Sequence, residues 1–142
     1  MGMRPAERKD LKALAFLLGE LRGGPLTEAE AEDRLAFCEK SPFDFLFVYE
    51  DNDEVLGLCA FRVRENIEEC SRFGEVSALV VDPKARRRGL ATVMMDFMND
   101  LARQHGCLGL WLVSGFGREE EAHHFYKKYG FQVTGYRFVK RF

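Results

Sequence analysis

The chain has no apolar run long enough to cross a membrane, no Cys-x-x-C pair and no surplus of positive charge. The first absence removes a spanning helix, which needs about 20 consecutive apolar residues. The second removes zinc ribbons and thioredoxin-like redox sites. Cys38, Cys59, Cys70 and Cys107 stand far apart, and Cys59 and Cys107 lie inside apolar strand patterns, where a thiol serves as a small buried hydrophobe. His105, His123 and His124 have no ligand spacing, so no metal is expected. The third absence argues against a dedicated nucleic-acid binder, since the formal charge is −2 at pH 7. The first residues also lack an apolar leader segment, so the expectation is a soluble, cytoplasmic protein with no membrane partner. Repeats and low-complexity linkers are missing too. The 142 residues suit one domain, 1–142, with a proper core.

What is present is an alternation of helical and strand periods. Met1 to Pro5 reads as a short first strand. Leu11, Leu14, Ala15, Leu18 and Leu21 put an apolar face on a helix from Asp10 to Leu21, which Gly23-Gly24-Pro25 stops. Thr27-x-x-Glu30 is a capping box opening a second helix that ends near Lys40. Phe45, Phe47 and Tyr49 alternate as a strand, Asp51-Asn52-Asp53 turns, and Val55 to Val63 returns. Arg64 to Arg72 is a polar loop, and Glu75 to Val81 is a strand. A long helix to about His105 carries Leu90, Val93, Met94, Phe97 and Leu101 on its apolar face. Cys107 to Val113 is nearly all apolar, which predicts a central strand. Ser114-Gly115-Phe116-Gly117 is a loop, Glu119 to Tyr129 a short helix capped by Gly130, and Gln132 to Phe142 strand-like with a break at Gly135.

The most informative stretch is Val80-Val81-Asp82-Pro83-Lys84-Ala85-Arg86-Arg87-Arg88-Gly89-Leu90-Ala91. A strand runs into a basic turn, and the turn opens directly into a helix. That order gathers unpaired backbone N–H groups and a positive helix end at one spot, which suits a pyrophosphate. It is no Walker loop, because no Lys-Ser or Lys-Thr follows the glycine, and it lacks G-x-G-x-x-G. An ordinary surface turn and a basic patch for nucleic acid are the competing readings of the same residues.

Arg86-x-x-Gly89-x-Ala91 resembles the acetyl-CoA motif of the GNAT superfamily of N-acetyltransferases, Gln/Arg-x-x-Gly-x-Gly/Ala. Ala122-His123-His124-Phe125-Tyr126-Lys127-Lys128-Tyr129-Gly130-Phe131 is similar to a second motif of that family, A-x-x-F-Y-x-x-x-G-F. The element order β-α-α-β-β-β-α-β-α-β, with a last hairpin in prospect, also resembles the GNAT fold over nearly the whole chain. The resemblance implies an α/β (α+β) fold: a central mixed, mostly antiparallel sheet of about six to seven strands with helices on both faces.

It also implies a site. The strand before the turn and the apolar strand after the long helix splay apart, and the pantetheine arm of acetyl-CoA pairs with the first through Leu79, Val80 and Val81. The diphosphate takes N–H groups from Arg87, Arg88, Gly89, Leu90, Ala91 and Thr92. Arg86, Arg87 and Arg88 steer the polyanion, or are merely solvated. Gly89 lets the backbone approach closely. Ser114, at the end of the apolar strand, touches the pantetheine arm.

Acetyl transfer requires a neutral amine and a stabilised thiolate. The family match makes Tyr126 the general acid for the sulfur, against its alternative as a core aromatic. A phenol of pKa about 10 stays protonated where a thiol of about 8.5 leaves. Glu75, eleven residues before Arg86, stands where histone-type members keep their base. It acts directly or through water, or is a solvated strand residue; Ser77 is a lesser candidate. For the acceptor, Glu68 and Glu69 suit a cationic amine, whereas Arg22, Arg72 and Arg118 suit an anionic group, and the sequence does not choose.

The reading is therefore an acetyl-CoA-dependent N-acetyltransferase acting on a small-molecule amine. A protein or peptide acetyltransferase and a non-catalytic acyl-CoA sensor are the alternatives. Phe131, Tyr136, Phe138, Val139 and Phe142 make an aromatic tail that fits a homodimer interface and core burial equally.

Overall fold

The computed structural model of the protein describes residues 2–114 and 119–142. Five strands pair in chain order: β1 (Gly2–Pro5), β2 (Asp44–Asp51), β3 (Glu54–Glu65), β4 (Arg72–Val81) and β5 (Leu110–Trp111). The first four are antiparallel, and β4 and β5 are parallel. Asn52 and Asp53, at φ 50° and 60°, make the tight turn between β2 and β3, a conformation these two residue types tolerate.

Alternation along the strands sorts side chains to two faces. Leu46, Val48, Leu58 and Val80 meet α1 (Leu11–Arg22) and α2 (Glu28–Lys40) through Leu14, Leu17, Ala31 and Leu35. The capping box forms as predicted, with the Glu30 N–H donating to Thr27 Oγ1 at 3.0 Å and the Thr27 N–H to Glu30 Oε1 at 3.1 Å. Phe47, Cys59, Phe61 and Val76 face the other way, against α3 (Leu90–Gln104). The buried stripe of α3 is Leu90, Met94, Met95, Met98 and Ala102; Val93 lies off its shoulder and is exposed. Gly74 lets the sheet and α3 approach: a Cβ there would stand 2.4 Å from the Phe61 ring and 3.1 Å from Ala102.

One buried charge ties β1 to the start of α1. Asp10 accepts from Arg4 at 2.8 and 2.9 Å and from the Glu7 N–H at 2.8 Å, and Arg4 also grips Glu50. Burial by itself would raise the Asp10 carboxyl, but the guanidinium and the N–H outweigh it and hold it below the usual carboxylate range.

The C-terminal part departs from expectation. The described residues form five strands, not six to seven. The segment predicted as the central strand pairs only at Leu110 and Trp111 and lies at the sheet edge, with Leu108 and Val113 exposed. Residues 132–142 form no strand. Their alternation supplies strand propensity, but a strand exists only where a second edge takes its hydrogen bonds. The described backbone anchors this segment at Phe131, whose N–H donates to Tyr126 O at 2.9 Å. Beyond it Val133, Tyr136, Phe138, Val139 and Phe142 are exposed, so burial in the chain's own core does not account for the aromatic tail.

Candidate active site

β4 has two unlike edges. Toward β3 it is paired along its whole length, with a register shift at Ala60/Phe61 that leaves Ser77 as the extra residue on β4. Toward β5 it is paired, among the described residues, only at Gly74 and Glu75, which leaves a gap along that edge from Val76 to Val81. The Asp82 N–H donates to Leu56 O at 2.8 Å, so strand alternation turns the polar backbone atoms of Val80 to β3 and those of Leu79 and Val81 to the gap. Of the three residues predicted to offer main-chain contacts, Leu79 and Val81 therefore face the opening. The Val80 side chain packs among residues of α1 and α2.

At the end of β4 the backbone is set up by local chemistry. Asp82 Oδ1 accepts from the Lys84 N–H at 3.0 Å, which closes a single 3₁₀ turn over Pro83–Ala85. Ala85 and Leu90, both buried, pin the two feet of the turn to the core. Between them Arg87 and Gly89 adopt left-handed φ values of 66° and 77°. Such residues turn successive N–H groups to one side, as in an anion nest. Gly89 is the N-cap of α3 and provides no side-chain cap. The first intrahelical bond runs from Val93 N–H to Gly89 O, so the N–H groups of Leu90, Ala91 and Thr92 have no helical partner. A Cβ on Gly89 would meet open space, so the glycine answers to φ and not to a protein neighbour. Arg86, Arg87 and Arg88 are exposed, and Lys84 is paired with Glu54.

The profile of the Acetyltransferase (GNAT) family matches residues 11–131. The chain belongs to the GNAT family of acetyltransferases. The GNAT chain is 30% identical over 128 residues to the uncharacterized N-acetyltransferase YhdJ of Bacillus subtilis (strain 168), covering 87% of this chain and 86% of that one. It is 25% identical over 138 residues to the aminoalkylphosphonate N-acetyltransferase of Salmonella typhimurium, covering 97% and 89%. The crystal structure of a transcriptional regulator from Bacillus halodurans C-125 has the same fold, with a TM-score of 0.89, 17% identity and coverage of 99% and 98%.

In the GNAT chain several predicted residues make contacts in the C-terminal part. Tyr126, on α4 (His124–Tyr129), packs in the same apolar cluster as Leu79, Val81 and Leu112, with ring contacts to Phe125 and Phe131 at 5.7 and 6.0 Å. Ser114 Oγ lies 3.0 Å from His123 Nε2, which ties the end of the β5 segment to the residues leading into α4. Tyr129 anchors α4 to α3 by donating to Asp96 Oδ1 at 2.6 Å. Burial and the Asp96 carboxylate both disfavour the phenolate and push the Tyr129 phenol up to about 12.

Glu75 stands on the opposite face of β4 from Val76, on the side of the sheet that carries α1 and α2. It is flanked by Ser77 Oγ at 3.4 Å and Arg64 Nη1 at 3.3 Å. The Arg64 guanidinium lies over the Trp111 ring, 5.0 Å from its centroid. Neither Arg64 nor Trp111 carries a local motif. They meet Glu75 because Arg64 on β3 and Trp111 on β5 flank the same stretch of β4.

The charged residues predicted for the acceptor fare unequally. Arg22 is held by Glu30 and Pro25 O, and Arg72 by Glu65 and His105 O. Glu68 and Glu69 are exposed in the loop 66–71. Arg118, with Gly115, Phe116 and Gly117, lies outside the described residues. No group of three or more metal-ligating side chains exists among the described residues. A cleft of about 610 Å³ between α1 and the β2–β3 turn contains neither Glu75 nor Tyr126. Among its charged lining residues Lys84 is paired with Glu54, and Glu50 and Asp10 are paired with Arg4.

Proposed function

We propose that the chain is a cytoplasmic enzyme that transfers the acetyl group of acetyl-CoA to the primary amine of a small molecule by direct attack on the thioester. The observation that carries this reading is the open edge of β4 running into the uncapped N-terminus of α3. An extended amide-bearing arm needs free strand N–H and C=O groups, and a diphosphate needs a cluster of unpaired N–H groups; here the two follow each other within one turn of chain. The aminoalkylphosphonate N-acetyltransferase relative supports a small-molecule acceptor.

Bound there, acetyl-CoA supplies a thioester carbonyl and a thiolate leaving group. The N–H groups from Arg87 to Thr92 hold the diphosphate. Leu79 and Val81 pair with the pantetheine arm and polarise the thioester carbonyl, and Ser114 borders the arm. Glu75, directly or through an ordered water, takes the ammonium proton so that the nitrogen lone pair attacks. Tyr126 gives a hydrogen bond or its proton to the departing sulfur. Release of CoA thiol across an amine panel tests the reaction. Tyr126→Phe is expected to lower kcat about 100-fold with the KM for acetyl-CoA unmoved; an unchanged kcat removes Tyr126 from the chemistry. Glu75→Gln is expected to lose activity most steeply at low pH, where the amine is most protonated, and a parallel pH profile would assign the base elsewhere.

Two copies are proposed to pair through residues 132–142. That segment is exposed, with Tyr136, Phe138 and Phe142 among its residues, and it carries Arg137, Lys140 and Arg141. The outer edge of β5 is unpaired among the described residues, with exposed Glu120 and Glu121 following it in the chain. Each copy thus offers both a basic strand-like tail and an open edge, which suits a reciprocal, closed exchange. Sedimentation equilibrium is expected to show a dimer that Phe138→Ala weakens; a monomer at all concentrations ends this proposal.

A further inference from the structure

We propose that Arg64 is the specificity-determining residue of the acceptor site, and that the acceptor is an amine bearing an anionic group, a carboxylate or phosphonate, a few bonds from its nitrogen. This rests on the acetyltransferase reading above and names the substrate class of that site.

The argument starts from what Arg64 touches. Its guanidinium carbon lies over the Trp111 ring, 5.0 Å from the centroid, and the group pairs with Glu75 at 3.3 Å, so it spans from β3 across β4 to β5. It is half exposed, whereas Glu75 is mostly covered. Arg62, two residues back along β3, is already held by Asp44. Arg22 and Arg72 are likewise engaged with their own neighbours. Arg64 is therefore the arginine whose partner is the carboxylate assigned to receive the amine.

An alkylamine has a pKa near 10.4 and arrives as a cation. At Glu75 it competes with the guanidinium for the same carboxylate. An acceptor with only positive charge leaves Arg64 unpaired beside a second cation, which costs Coulomb energy in a partly dry site. An acceptor that also carries an anion makes two exchanges at once. Its ammonium replaces Arg64 at Glu75, and Arg64 turns its planar fork to the anion, the geometry in which arginine binds carboxylate or phosphonate most strongly. Stacking on Trp111 limits how far the guanidinium swings, so the anion must lie close to the amine. The constellation Glu75–Arg64–Trp111 thus reads a charge pair, not a single charge.

Trp111 is the only tryptophan of the chain, so its fluorescence reports the guanidinium directly and without turnover. The experiment titrates the full chain, with CoA present, with 2-aminoethylphosphonate, ethanolamine and 1,2-diaminoethane. These differ only in the group opposite the amine. The phosphonate is expected to bind about 10- to 100-fold more tightly than ethanolamine, with the diamine weakest. Arg64→Gln is expected to bring the phosphonate-to-ethanolamine ratio to about one, and Arg64→Lys to restore part of it. Arg72→Gln is expected to leave the ratio in place. No saturable response to the phosphonate, equal affinities, a preference for the diamine, or a ratio that survives Arg64→Gln overturns the proposal. CoA release, measured in parallel, separates this from the reaction. Selective binding without release on any amine removes the acetyltransferase reading and leaves the Arg64 site standing. Release without selectivity does the reverse.

Discussion

From Ala6 to Ala102 the chain buries both faces of an antiparallel sheet, whereas none of the described residues after Ala102 is fully buried. The two stretches are alike in apolar content; the later one contains Leu108, Leu110, Trp111, Phe125, Phe131 and Phe138. The difference is in what they are offered. Each apolar residue of β2 and β3 has a helix above or below it, and each of the two strands has a strand on both sides. β5 has one short parallel neighbour, and the segment after Gly130 has none. The seam between the two regions is the outer edge of β4, and the candidate site occupies it. The gap exists because, among the described residues, the second region pairs with the first only at Leu110 and Trp111.

The largest effect should separate the two regions directly. Leu58→Ala removes a side chain fully enclosed between the sheet and α1, and urea unfolding should show a loss of about 2–5 kcal/mol. Phe138→Ala removes a larger side chain that is 91% exposed, and at concentrations where the chain is monomeric it should cost no more than about 0.5 kcal/mol. Equal losses would mean that the tail packs on its own body and would break the comparison. At the seam, Gly74→Ala forces a Cβ into the Phe61 ring, an overpacking of about 1–3 kcal/mol. Because Gly74 pairs with Leu110, the change should also loosen β5, seen as faster amide exchange at Leu110 and Trp111 than in the rest of the sheet.

The smallest effect concerns the tether of α4. Tyr129→Phe deletes the hydrogen bond to Asp96 and should cost about 0.5–1.5 kcal/mol. Its pH dependence has a definite sign. The folded-state phenol is raised to about 12 from its ordinary value near 10, so folding favours the protonated form. The contribution is fully present below pH about 10 and is lost as pH rises toward 12. Unfolding free energies of the parent and Tyr129→Phe chains, compared from pH 8 to pH 12, should converge at the alkaline end. A constant offset would show that Asp96 does not discriminate between the two forms.

Much of the first region was legible from residue order. The Thr27–Glu30 box starts α2, Asn52 and Asp53 turn the hairpin, and the step from β4 through Arg86 to Gly89 and α3 follows from local preferences. These features rest on contacts within a few residues, and such contacts leave a mark in the sequence. The edge position of β5 was not legible: a run of apolar residues reads the same whether a strand is flanked on one side or on two. The exposed tail escaped for the same reason, since alternation records what a segment is able to pair with and not whether a partner arrives.

The sequence by itself determined the family, the antiparallel body and the basic turn that opens α3, because each follows from short-range patterns of apolar period, capping and backbone conformation. Only the tertiary structure decided that β4 opens after Glu75, that Leu79 and Val81 face the gap while Val80 does not, and that Arg64 reaches across Glu75 to Trp111. These depend on strand register, and register is set by pairings between residues far apart in the chain.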